Sequence, residues 1–369
     1  MPEVHPFIRV KDRDTVELVL MFVSIAGIPL TFIALVIILT KTPPQMKTYK
    51  WIIVNLTVTS FLTDIVICFL FDPIPLFPEV ACYSKTWIAN VGKDANYILL
   101  CVSIIMLQLT LSGTLVAFIY RMNSLRILSE TFLVFANCEI QYTTIAIYTL
   151  SLIPIVFVLI TGYKPSNEMR DMLEKTPELK FLRDYGSYLA TDKDDWNLVI
   201  FQVIWLSSAF AIVALCFVVA VAIITQLHRK RQFMSSKSLA LHRSLTIHLL
   251  VQILIPVATT LIPMLILFCT RYMEVPFGAD FWNLVISQTV ALHSPLNTVA
   301  TILATRHYRT AFVRHFKQIP YMFLGIKSSS AMNVQLARNN ASSTQQTSAW
   351  RPTMARRLWN SDNVVVNTK

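Results

Sequence analysis

The sequence predicts an all-α membrane protein, a bundle of seven transmembrane helices with the N-terminus outside and the C-terminus inside. Three observations carry this. Of 369 residues, 54% are hydrophobic and only 14% charged, whereas a soluble domain carries about 25% charge. Seven apolar runs are long enough to cross a bilayer. Lys and Arg are divided unevenly between the loops that join those runs.

The runs are Leu18–Leu39, Trp51–Phe71, Ala95–Tyr120, Gln141–Tyr163, Trp196–Leu227, Leu245–Thr270 and Phe281–Thr305. A spanning helix needs about 20 apolar residues, because it must close its own backbone hydrogen bonds where no water is present. Six of the runs hold no Asp, Glu, Lys or Arg, and the second holds only Asp64. Core helices of a soluble protein are rarely this long and this free of charge on every face. The first run is too long, and its flank too mixed in charge, for a cleaved signal peptide, so it is expected to stay in the membrane.

Orientation follows from the loops. Residues 40–50, 121–140, 228–244 and 306–369 hold 20 basic residues against three acids. Residues 1–17, 72–94, 164–195 and 271–280 hold 12 basic residues against seventeen acids. The first set is therefore expected to be cytoplasmic. Its clearest member is the stretch His228–Arg231, HRKR. The net charge of +11 then sits against the anionic inner leaflet, and nucleic acid is not needed to explain it. The expected organisation is a short outer N-terminus (1–17), the bundle (18–305), an interfacial helix region (306–324) and a disordered cytoplasmic tail (325–369).

Enzyme signatures are absent. With seven glycines there is no phosphate-binding loop, no GxSxG and no HExxH. No catalytic residue, metal site or cofactor is expected. The six cysteines lie mostly inside apolar runs and read as small hydrophobes. Cys82, in an outer loop, has Cys269 at the outer end of the sixth run as a candidate partner. The only sizeable outer loop, Lys164–Asp195, carries mixed charge and room for a short helix. A ligand is therefore expected inside the bundle or beneath that loop, which favours small molecules.

Three stretches resemble a known family. Met46–Asp64 (MKTYKWIIVNLTVTSFLTD) with Pro73–Pro78 (PIPLFP), Leu241–Pro263 (LHRSLTIHLLVQILIPVATTLIP) and His293–Arg309 (HSPLNTVATILATRHYR) are similar to nematode serpentine receptor class H chemoreceptors. The resemblance implies a G-protein-coupled chemosensory receptor. It would bind a small molecule among its helices and signal to a heterotrimeric G protein from the plasma membrane, or a sensory cilium within it. Arrestin would be a further partner, through Ser328–Ser330 and Ser342–Ser348.

Residue roles divide into three groups. Asn96, Tyr97, Gln202, Trp205 and Gln288 are polar or aromatic near the outer helix halves and are candidates for ligand contact. Asn55, Asp64, Gln252, Pro256 and Asn297 are candidates for a polar, conformational core. A lone membrane acid costs at least about 2.5 kcal/mol unless it faces the bundle and finds a partner; simple helix-to-helix adhesion is the other reading of Asp64. Arg121, Arg229, Lys230, Arg231, Tyr308 and Arg309 are candidates to face the G protein. Arg121 resembles the arginine such receptors present at the end of the third helix, but Tyr120 stands where an acid commonly precedes it. An arginine snorkelling to lipid phosphate is the alternative. Pro256, Pro263 and Pro295 permit kinks in the sixth and seventh helices.

A seven-helix transporter or channel is the rival class. Such proteins often show internal repeats, broken helices and polar sites at mid-membrane depth; no repeat is visible here, and a single intramembrane acid, Asp64, gives little to move ions or substrate. A scaffold with a degenerate receptor fold is a third. An epitope tag at the N-terminus should stain on intact cells, and one at the C-terminus only after permeabilisation; the reverse pattern overturns the expected orientation.

Overall fold

The computed structural model describes residues 10–42, 47–76, 79–84, 86–126, 140–184, 188–192, 195–232, 234–270, 272–273, 278–305 and 308–314. The chain divides into two units, Met1–Ala311 and Phe312–Lys369. In the second, residues 312–314 are described and are helical. The expected boundaries at 324 and 325 and the serines of the tail lie outside the described residues, as do residues 1–9.

The first unit is the bundle. Its first five membrane helices are Val10–Lys41, Lys47–Phe71, Lys93–Arg126, Ile140–Thr161 and Trp196–Arg229. The sixth runs from Ser236 to Cys269 and the seventh from Gly278 to Ala304. Large apolar side chains that would be anomalous on a soluble protein, such as Phe32, Leu150, Phe157, Ile160 and Val218, point away from the bundle. They mark the lipid-facing surface.

Three helices depart from regular geometry, each for a readable reason. The second ends in a π turn over Ile65–Phe71, closed where Asp72 takes a left-handed conformation (φ 39°) and its N–H bonds back to the Ile67 carbonyl. The sixth carries a π turn at Val257–Leu261, directly after Pro256. Pro256 has no N–H to give and its ring crowds the preceding turn, so the ladder is re-paired over a wider loop. The seventh is interrupted at Leu292, splitting into Gly278–Ala291 and His293–Ala304. The single uninterrupted run expected at Phe281–Thr305 is thus two half-helices, with Pro295 in the first turn of the second.

The helical expectation leaves out a small sheet at one end of the bundle. Strands β1 (Pro73–Pro75), β2 (Ala81–Ser84) and β3 (Tyr188–Ala190) pair antiparallel in the order β1-β2-β3. Ile74 lies opposite Tyr83, and Cys82 opposite Leu189. The sheet joins two loops that the sequence treats separately, 72–94 and 164–195. It is fixed to the second helix because Ser84 donates to the Phe71 carbonyl and Thr86 to the Leu70 carbonyl (2.9 Å). These carbonyls are ones the helix end leaves without intrahelical donors. Helix Ser166–Lys175 and a 3-10 segment Pro177–Asp184 complete the long loop, so the short helix expected there is present. Met169, Leu173, Leu179 and Leu182 pack against the sheet in one apolar cluster. Lys164 pairs with Asp195 at 3.0 Å, and that bond raises the Lys164 ammonium above its ordinary range. It ties the two ends of the loop together.

Close helix contact is set by small residues. A Cβ on Gly113 of the third helix would stand 3.0 Å from both a Leu56 methyl and the Tyr148 hydroxyl. A Cβ on Gly27 would stand 3.1 Å from the Pro295 ring. Gly113→Val should therefore destabilise the bundle by about 1–3 kcal/mol, read as a lower melting temperature of the purified protein in detergent. An unchanged melting temperature would contradict the packing.

Candidate functional site

Beneath the sheet lies a cavity of about 830 Å³, within the range of about 300–1,000 Å³ that small-molecule sites occupy. The sheet is its roof, through Pro73, Pro75, Ala81, Cys82 and Leu189. Its walls come from the third helix (Leu100, Ser103, Ile104, Leu107), the fifth (Phe201, Gln202, Trp205), the sixth (Met264, Phe268) and the seventh (Ile286, Val290), with Ser24 and Ile25 of the first and Ile67, Cys68 and Phe71 of the second. Spacings of three and four keep the third-helix set on one face. Trp205 is 3% exposed and meets Phe268 edge to face, centroids 6.2 Å apart. The lining is overwhelmingly apolar, and among the described residues Asp72 is its one carboxylate.

Of the five expected ligand contacts, Gln202 and Trp205 line this cavity. Asn96 and Tyr97 do not. They lie one turn nearer the sheet, where Asn96 is buried and Tyr97 packs into the loop cluster. The Tyr97 hydroxyl donates to the Leu159 carbonyl of the fourth helix. The side chain of Gln288 is outside the described residues. Cys82 and Cys269 are both free thiols, so the candidate disulfide is not formed. Cys82 faces the cavity instead, and burial pushes its thiol up to about 12.

A polar seam runs from the break in the seventh helix toward the opposite end. Ser294, Asn297, Thr298 and Thr301 share one face of the half-helix and are all buried. Ser294 donates to Asp64 through both its hydroxyl and its backbone N–H. Asn297 Nδ2 donates to Ser60 Oγ at 3.0 Å, and Thr298 meets Thr31 of the first helix at 3.1 Å. Thr301 gives its proton to the Asn297 carbonyl (2.9 Å) and accepts from His248 Nε2 (3.1 Å) and Gln252 Nε2 (3.4 Å). One face of one half-helix therefore joins the first, second and sixth helices.

The break explains why an acid sits here. A helix start has first-turn N–H groups with no intrahelical acceptor and the positive end of the backbone dipole. Asp64, 7% exposed, supplies the acceptor. Of the expected polar core, Asp64, Gln252 and Asn297 come together, and Pro256 sits buried beside them at the start of the π turn. Asn55 does not join them: it is on the lipid-facing side of the second helix and donates to the Tyr148 hydroxyl at 3.2 Å.

At the far end, Arg121 is 5% exposed. Its guanidinium carbon lies 5.9 Å from the Tyr49 ring centroid, and Tyr49 stacks on Tyr120 at 5.9 Å and 16°. Among the described residues, guanidinium Nε and Nη2 have no hydrogen-bond partner. Tyr308 is buried, its hydroxyl 3.0 Å from that of Thr42. Lys230 donates to the Leu125 carbonyl at 2.5 Å, closing the end of the third helix. Arg229, Arg231 and Arg309 are exposed. The six residues expected to face a G protein thus split: three at the surface, Lys230 half-buried, and Arg121 and Tyr308 inside.

Seven apolar helices, a roofed cavity at one end and a buried third-helix arginine at the other describe a seven-transmembrane receptor of the G-protein-coupled type. The family model for the serpentine type 7TM GPCR chemoreceptor Srh matches residues 11–318, and the chain belongs to that family. It is a receptor family rather than an enzyme family. No curated protein matches the chain significantly.

Replacing Asp64 with Ala should leave the Ser294 N–H without its acceptor and cost about 1–3 kcal/mol. Asn55→Ala, at the lipid-facing position, should cost less than about 1 kcal/mol. Melting temperatures of the two purified variants in detergent compare them; equal losses would remove the capping role from Asp64.

Proposed function

We propose that the chain is a chemosensory receptor that binds a small molecule in the roofed cavity and passes the event to a heterotrimeric G protein at the opposite end. The observation that carries this reading is the cavity itself: small-molecule sized, apolar, and roofed by a sheet tied to the end of the second helix. The sheet-bearing end would face outward, as the loop charges argue, and the protein would reside in the plasma membrane.

An apolar plug favours a receptor over a transporter or channel. Leu111, Leu115, Phe118, Ile212, Cys216 and Leu249 belong to one packed cluster linking the third, fifth and sixth helices. A conduit would need a polar path through this layer. A ligand would act by differential affinity for a state in which the sixth and seventh helices rearrange at their irregular turns. Arg121, held against Tyr49, would then become available to the G protein together with the exposed Arg229, Arg231 and Arg309. Arrestin recruitment by a phosphorylated tail belongs to the same reading.

Two outcomes are expected. In a heterologous cell with confirmed surface expression, a volatile or soluble small molecule should activate a co-expressed G protein, and Trp205→Ala should shift the dose response at least about tenfold. Silence across a broad odorant panel counts against the reading. Tyr49→Leu removes a cation–π contact worth about 0.5–2 kcal/mol, so ligand-independent signalling should rise severalfold; an unchanged basal level would show that Tyr49 does not restrain Arg121.

A further inference from the structure

Directly against the large cavity lies a second, much smaller one of about 20 Å³. The two share Leu107 and Trp205 as lining residues. About 10–15 Å³ suffices for one water-sized oxygen, so the small space accommodates a single such atom. Thr110 and Leu111 of the third helix, Ala209 of the fifth, Pro256, Thr260 and Leu261 of the sixth and His293 of the seventh complete the wall; the Thr110 hydroxyl already donates to the Met106 carbonyl at 3.0 Å. It therefore sits where the π turn and the helix break meet.

Three of its lining residues carry a buried polar atom with no hydrogen-bond partner among the described residues: Trp205 Nε1, Thr260 Oγ1 and His293 Nε2. Unmade bonds at this depth are costly, and three of them around one small void indicate a missing guest. The bonds already made fix what each atom can offer. Thr259 gives its only hydroxyl proton to the Ile255 carbonyl at 2.9 Å. The contact between Thr259 Oγ1 and His293 Nδ1, at 3.3 Å, must then be donated by the ring. An uncharged imidazole with its proton on Nδ1 leaves Nε2 as an acceptor. Trp205 Nε1 can only donate. Thr260 can do either.

The guest must consequently accept from Trp205 and donate to His293 through one oxygen, with the Thr260 hydroxyl on its second lone pair. A hydroxyl meets all three demands. A ketone, aldehyde or ether oxygen would leave His293 Nε2 unmet. We propose that this is a hydroxyl subsite, and that the ligand is an apolar alcohol whose hydrocarbon body fills the large cavity and whose O–H reaches the floor past Trp205. The inference rests on the ligand site proposed above and adds the ligand's chemical class. A resident water has the same hydrogen-bonding chemistry, so the test separates the two sources.

The full-length receptor in nanodiscs is titrated with straight-chain and branched alcohols of graded length, and with the aldehyde and methyl ether of each skeleton. Binding is followed by the concentration dependence of the melting temperature. The alcohols should bind at least about tenfold more tightly than their aldehydes and ethers. That preference should fall to about twofold or less in Thr260→Val, which keeps the volume, and in His293→Leu. Equal binding of alcohols, aldehydes and ethers overturns the alcohol class while leaving the cavity as a ligand site. An alcohol preference that survives both substitutions puts the hydroxyl elsewhere and also overturns it. So does density for a water in the small space with an alcohol bound entirely above it. No binding by any compound removes the cavity reading and this inference together.

Discussion

The bundle depends on how the seventh helix is allowed to break. A half-helix starting inside a membrane exposes N–H groups that lipid cannot satisfy. In this protein the break at Leu292 is tolerated because Asp64 of the second helix accepts from Ser294. The same arrangement gives an otherwise costly membrane acid its donors. Each feature offsets the cost of the other. Once the second half-helix is fixed at its start, Asn297, Thr298 and Thr301 follow in register, and each binds a different helix.

This explains what the sequence made legible. Apolar runs and loop charges are properties of whole segments, so the seven membrane helices could be read without knowing any contact. The polar positions inside them were also legible, because a buried polar group in lipid must find a partner: Asp64, Gln252 and Asn297 do so. Asn55 has the same chemistry but lies on the opposite side of the second helix. A helix that is apolar on every side carries no mark of its rotational phase, since no polar face tells the core side from the lipid side. For the same reason the sequence marks Gln202 and Trp205 of the cavity but not Ser103, Ile104, Met264 and Phe268 beside them. The sheet was illegible for a different reason. β2 pairs with a strand about a hundred residues away, and strands of three and four residues carry little local pattern.

The sheet, in turn, decides what the cavity can be. Its inner surface is apolar, and its anchors are the helix-end carbonyls of Leu70 and Phe71 rather than a disulfide. With Cys82 and Cys269 free, hydrogen bonds and apolar packing hold the roof at one edge, and the Lys164–Asp195 pair helps close the long loop at the other. Such contacts are individually worth about 1 kcal/mol. A roof held this way can open without breaking a covalent bond, which suits the ligand site proposed above.

At the other end the same economy of charge holds. An arginine at this position is commonly paired with an acid, and Tyr120 stands there instead. The guanidinium is nevertheless buried, lying against the Tyr49 ring, which stacks on Tyr120. An aromatic face attracts a cation through its quadrupole and does so more strongly when water is excluded. It leaves guanidinium N–H groups unsatisfied, as Nε and Nη2 are among the described residues, where a carboxylate would have taken them. The burial is therefore a weaker restraint than an ion pair, with donors left over for an incoming acceptor. On the receptor reading proposed above, packing is what holds the arginine back, and the loss of that packing would present it.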